Sequence, residues 1–242
     1  MVVEPPRSSE EAIERHPHLA HARMADKLRV DMHTHTMWSG DSTTTPDEVR
    51  EAIEGAALDV LCVTDHHTIE GALRLENVLP CRVVVGEEVR THTGELIGLF
   101  LDERIPQGLA AAETAKRIRD QGAIVYVPHP FDPMRCNIEE SSLYELAEAG
   151  LIDAVEVLNA KTSLESLNAR ARRFADEFDL AAGAGSDAHV AEALGSAYVE
   201  MDLFDDARSF LAALRSSAVI GHHSDPPRRW RPRIIPSIDP LS

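Results

Sequence analysis

A chain of 242 residues, 43% hydrophobic and 27% charged, suits one soluble globular domain of barrel size. No apolar run reaches the roughly 18 residues that span a bilayer, and the N-terminus, with Glu4, Glu10, Glu11 and Glu14, lacks the apolar centre of a secretory signal, so no membrane is expected and the cytoplasm is the expected compartment. A formal charge of -17 argues against a large basic surface and strong nucleic-acid affinity, yet leaves room for a small anionic substrate, because bound cations would dominate the field of a pocket.

Residues 1–27 read as an acidic extension with a helix start at Ser8-Ser9-Glu10-Glu11. Its His16, His18 and His21 are assigned to the surface, since Pro17 interrupts them and no strand supports them. From residue 28 strands and helices alternate. A strand at 28–32 leads through Gly40-Asp41-Ser42 to a helix opened by Thr45-Pro46-Asp47-Glu48, with Thr45 as N-cap and Pro46 at the first helical position. Asp59–Thr64 is a strand, followed by a helix of about ten residues; Arg82–Val85 is the next strand, and 95–101 a further one that can pair with it. Helices are expected at 107–121, 139–149, 163–178 and 206–215, with strands at 123–128, 153–158, 180–185 and 197–201 and a short helix before the last strand. The tail from Gly221, with Pro226-Pro227-Arg228-Arg229-Trp230-Arg231-Pro232-Arg233, is read as irregular and packed on or near the barrel of 28–220, over its acidic surface. Cys62, Cys81 and Cys136 show no CxxC spacing and cannot all pair, so they are read as small buried hydrophobes.

Short apolar runs alternating with helices argue for parallel βα units closed into a barrel. Their polar ends carry the chemistry. His33 and His35 are two residues apart where a strand runs out, which sets two imidazoles on one face. Thr64-Asp65-His66-His67, Gly86-Glu87-Glu88, Pro128-His129-Pro130, Glu156-Val157-Leu158-Asn159 and Gly185-Ser186-Asp187-Ala188-His189 also close apolar runs, at the end where such barrels assemble active sites.

Taken in order, His33-x-His35, Ser39-Gly40-Asp41-Ser42, Thr64-Asp65-His66, Gly86-Glu87-Glu88-Val89, Val127-Pro128-His129-Pro130 and Gly185–His189 resemble the polymerase and histidinol phosphatase (PHP) family of metal-dependent phosphoesterases. The resemblance covers roughly residues 28–200. It implies an α/β fold, a distorted (β/α)7 barrel, holding two or three divalent ions: Mn, Fe or Zn, with Mg also open. Position by position it implies His33, His35 and Asp187 on one ion, with Glu88 (or Glu87) as the bridge, His129 on a second ion, and Asp41, His66 and His189 on a third. Asp65 is a further ligand or a carboxylate orienting an imidazole. Where many phosphatases of the family have a histidine, Glu95 stands here; either Glu95 binds the second ion, hardening the site toward Mn, Fe or Mg, or His92 substitutes, or that ion binds weakly. The implied reaction is hydrolysis of a small phosphorylated molecule, a nucleotide or sugar phosphate, by a metal-bridging hydroxide, with Asp187, His189 and Glu88 in the catalytic machinery. Arg135, Asn159 and Lys161 are candidates for binding the substrate. A regulatory metal-binding module and an amidohydrolase-like enzyme, for which Lys161 would be the lysine at the strand end, remain as alternatives.

Overall fold

The structure, a computed structural model, describes residues 27–162 and 164–227. The helix start and histidines expected in the extension, and the arginine-rich tail from Arg228, lie outside these residues. Nine strands form one sheet: β1 (Leu28–Thr34), β2 (Val60–Val63), β3 (Arg82–Thr91), β4 (Gly94–Leu99), β5 (Ile124–Val127), β6 (Ala154–Asn159), β7 (Ala181–Gly185), β8 (Ala197–Met201) and β9 (Ala218–Gly221). Among the described residues six α-helices accompany them: α1 (Pro46–Ala56), α2 (Glu70–Leu75), α3 (Ala111–Asp120), α4 (Glu140–Glu148), α5 (Glu165–Glu177) and α6 (Ala207–Leu214), with one 3-10 turn at Ala191–Ala193. None of the helices described is long and apolar enough to cross a membrane.

Strand order is β7-β6-β5-β4-β3-β2-β1-β8-β9. The ring then closes beyond β7, where the Asp187 amide donates to His33 O (2.8 Å) and the His35 amide to Ala188 O (3.0 Å). The result is a distorted seven-stranded barrel. Pairs β1/β2, β2/β3, β5/β6 and β6/β7 are parallel, as alternating βα units require, whereas β4 runs antiparallel to both neighbours. The hairpin with β4 also explains why β3 continues to Thr91, well past the expected Val85: Gly86–Thr91 pairs residue for residue with Gly94–Leu99. Two further differences from expectation lie outside the ring. β8 is antiparallel to β1, and β9, absent from the sequence reading, pairs with β8. Helix α2 has six residues, shorter than expected.

Local chemistry accounts for the first helix as read: Thr45 accepts from the Glu48 amide while the Glu48 carboxylate returns to Thr45 N, and Pro46 opens the helix. Val49 and Ile53 on its inner face pack with Leu61, Val63, Leu75 and Val83. Inside the ring, Leu28, Val30, Met32, Val60, Cys62, Ile97 and Tyr126 are fully or almost fully buried, joined by Phe204, Phe210 and Leu214 around α6. That apolar filling stops where the strands end, and above it His, Asp and Glu side chains converge.

Candidate metal centre

Each polar group stands where a strand runs out. In β1 the register with β2 shifts between Asp31 and Thr34, and this bulge turns the strand so that His33 and His35 both reach the interior. Their Nε2 atoms lie 3.1 Å apart. Asp31 stays behind to fasten the closure, accepting from the amides of Ser186 (2.9 Å) and Gly195 (3.0 Å). At β7, Gly185 admits β1: a Cβ there would sit 2.3 Å from the His33 Cβ. His129 (φ 29°) and Asp187 (φ 50°), on the turns after β5 and β7, hold left-handed backbone that non-glycine residues rarely adopt.

Glu88, on the part of β3 paired with β4 and bridged to His66 beyond the end of β2, is the hub. Its carboxylate faces His33 Nε2 (3.3 Å), His35 Nε2 (3.2 Å), His129 Nε2 (3.1 Å) and His66 Nδ1 (3.4 Å). Glu87 points elsewhere, accepting from the Ile105 amide at 2.7 Å, so Glu88 is the glutamate that can bridge. Four sets of side chains converge closely enough to hold an ion: His33, His35 and Glu88; His33, His129 and Asp187; Glu88, Glu95 and His129; His35, Asp41, His66 and His189. Glu95 therefore does stand beside Glu88 and His129, whereas His92 is exposed and enters none of these sets.

The donor chemistry fits cations. Glu156 Oε1 can only accept, so His33 Nδ1 (3.1 Å away) carries a proton, which leaves Nε2, on the Glu88 side, as the nitrogen that can turn a lone pair to a cation. His35 Nδ1 is likewise engaged, by Ser39 Oγ at 3.0 Å. Lone pairs and carboxylate oxygens that converge in this way need a positive charge between them. The electrostatics agree. Against burial, which opposes charging, Glu156, Glu88 and Asp187 raise His33 well above the ordinary imidazole range. Burial, joined by His189, holds His35 well below it. His66 is raised to about 9, its Asp41 and Glu88 partners outweighing burial. Despite burial, Glu88 is held well below the ordinary carboxylate range by His33 and His129, and Asp187 by Lys161 and His33. Glu95 goes the other way, pushed up to about 7 by burial and the neighbouring Glu88.

The remaining sequence candidates divide. Asp41 Oδ2 meets His189 Nε2 at 2.7 Å and His66 Nε2 at 3.5 Å, at the rim. Asp65 belongs to none of the four sets and orients no imidazole: its two oxygens take the Thr36 amide and hydroxyl, both at 2.6 Å, and so pin the loop after β1. Asn159 is buried and donates to Glu156 (3.0 Å) and Asp187 (3.3 Å), which makes it a brace for carboxylates. Lys161 Nζ lies 2.9 Å from Asp187 Oδ1 and 3.0 Å from His189 Nδ1, and Arg135 reaches Lys161 O at 3.3 Å. Both cations line a cavity of about 170 Å3 with Asp41, Glu88 and Glu95. Sequence reasoning assigned no role to Ser39 or Glu156; Glu156 also accepts the His129 amide at 2.7 Å, so one carboxylate orients two imidazole-bearing residues.

A family model described as PHP-associated matches residues 165–219. The Methanocaldococcus jannaschii protein MJ1587 is 36% identical over 146 residues, spanning 55% of this chain and 82% of the relative. Among solved structures, a two-domain Bacteroides vulgatus protein containing a PHP-like metal-dependent phosphoesterase superposes with a TM-score of 0.65 at 17% identity, over 81% of this chain and 65% of its own. A Bifidobacterium adolescentis protein described as a metal-dependent phosphoesterase gives 0.59 at 16% identity, over 76% of this chain and 95% of its own. The chain has the fold of PHP-like proteins, and its matched segment is PHP-associated.

Proposed function

We propose that the chain is a divalent-metal phosphoesterase acting on a small phosphorylated molecule, a nucleotide or sugar phosphate. One observation carries the reading: a single buried carboxylate, Glu88, faces nitrogens of four histidines brought in by β1, β5 and the loop after β2. His33, His35, Asp187 and Glu88 would hold one ion, Glu88, His129 and Glu95 a second, and Asp41, His66 and His189 a third. Mn, Fe or Zn suits such mixed imidazole and carboxylate sets, and the carboxylate of Glu95 shifts the second position toward Mn, Fe or Mg. Bound there, divalent ions activate water at neutral pH and polarise phosphate oxygens.

The protein's own groups do the rest. Glu156 and Ser39 fix the faces of His33 and His35. Lys161 and Arg135 set positive charge at the cavity, where it would offset the negative charge on the oxygens of a transferring phosphoryl group. Asp187 and His189 stand beside Lys161 and would assist departure of the leaving oxygen. The pairing of Lys161 Nζ with Asp187 Oδ1, 2.9 Å away, supports this reading over an amidohydrolase-like site in which that nitrogen would carry a carbamate.

The test is phosphate release by Mn-, Fe- or Zn-loaded protein across nucleoside monophosphates, bisphosphates, sugar phosphates and a chromogenic phosphodiester. Turnover that vanishes in His33→Ala and Asp187→Ala is expected. Stoichiometric metal with no turnover on any of these esters would instead favour a regulatory metal-binding module.

A further inference from the structure

Ser39 is buried where two of the ion sets meet, and it is held there from behind. Its amide donates to Thr36 O at 2.8 Å, closing a turn after β1, and Thr36 is itself fixed by both oxygens of Asp65, at 2.6 Å each. On its other side the Ser39 hydroxyl meets three groups of proposed ligand residues: His35 Nδ1 at 3.0 Å, Asp41 Oδ1 at 3.0 Å and the His66 amide at 3.2 Å. His35 stands with His33 and Glu88 in one set, and with Asp41, His66 and His189 in another. One oxygen therefore touches both sets.

Counting donors gives that contact a direction. A hydroxyl has one proton to give and lone pairs to receive. The His66 amide can only donate to it, and the carboxylate oxygen of Asp41 can only accept from it. A cation on His35 Nε2 keeps the ring proton on Nδ1, which then donates to the same serine oxygen. The polarity thus runs from His35 Nδ1–H to Ser39 Oγ, and from Ser39 O–H to Asp41 Oδ1. Asp41 Oδ2 is left facing His189 Nε2 (2.7 Å) and His66 Nε2 (3.5 Å). We propose that Ser39 is a positioning residue shared by the two sets. Its hydroxyl fixes the tautomer and face of His35 for the ion held with His33 and Glu88, and turns Asp41 Oδ2 toward the ion at the rim. The proposal rests on the metal-centre reading above.

The test is titration of chelator-treated full-length protein with Zn against a chromogenic chelator, which reads metal alone and stays separate from whether any phosphoester is turned over. Ser39→Ala should weaken both the tight and the weak class of site by roughly tenfold or more, as loss of a ligating histidine's partner does. Ser39→Thr, which keeps the hydroxyl, should restore most of the affinity in both. A second reading needs no variant. NMR of the Zn-loaded protein, isotope-labelled in its histidines, should place the His35 proton on Nδ1 and show it slow to exchange. Ser39→Ala should make that proton exchange fast, a signature that loss of packing alone leaves unmoved. A Zn-loaded natural protein with the His35 proton on Nε2 overturns the proposal. So does natural affinity in either class for Ser39→Ala, since the hydroxyl would then serve one set only. Ser39→Thr binding as poorly as Ser39→Ala also overturns it, because shape and not the hydroxyl would then decide. Natural protein that takes up no Zn at all would sink the metal-centre reading, and this proposal with it.

Discussion

The centre has two halves that differ in how they are held. The deep half, His33, His35, Glu88, His129 and Asp187, is almost wholly removed from solvent, and its members are fastened by Glu156, Ser39 and Asn159. The rim half is wetter: the Asp41 side chain is 37% exposed and that of His66 is 24% exposed. Both halves use imidazole and carboxylate, and both are hydrogen-bonded from behind, the rim through Ser39 on Asp41 (3.0 Å) and Asp187 O on His189 Nδ1 (2.9 Å), but only the deep one is buried throughout. Burial makes charge there expensive unless matched, so the deep half should bind its ion tightly and fail sharply, while the rim should bind loosely and fail gradually.

Substitutions can break that contrast in order of severity. Glu88→Gln removes the charge that four histidines share, and loss of a buried charge partner costs about 3–5 kcal/mol; metal analysis should find at least two positions empty and phosphate release abolished. Glu156→Gln leaves every proposed ligand in place, yet loosening the partner of a ligating histidine lowers metal affinity about 10–100-fold, readable by titration with Mn. Gly185→Ala drives a methyl into His33 and should destabilise by about 1–3 kcal/mol, as overpacking does, lowering Tm and deep-half occupancy together. Asp41→Asn is the mildest. Exposed ion pairs contribute about 0.2–1 kcal/mol, so Tm should barely move, and only the weakest bound ion should be lost. Equal metal loss in Asp41→Asn and Glu88→Gln would erase the distinction between the halves.

Much of this was legible because ligand side chains sit at the ends of apolar runs, where a strand pattern breaks into His, Asp or Glu. The two-residue spacing of His33 and His35 placed both rings on one face, and the bulge after Asp31 is what turned that face inward. Asp65 shows the limit. It neighbours His66 in a motif of metal-site type, yet its oxygens are taken by Thr36, a partner 29 residues away that no spacing reveals. Glu156 was visible as an acid inside an apolar strand, but its task depends on β1 and β5 arriving beside β6. Cys136 was read as buried and is exposed, because its loop stands at the cavity and outside the helix packing. The direction of β8 was also hidden, since a five-residue strand carries no signal for the sense of its pairing.

The most direct test is calorimetric titration of chelator-treated full-length protein with Mn, run beside Glu88→Gln. Two classes of site, a tight one that Glu88→Gln abolishes and a weaker one that Asp41→Asn removes, are the predicted result. A single weak class, unchanged by Glu88→Gln, would contradict the account of Glu88 as the hub of a metal centre.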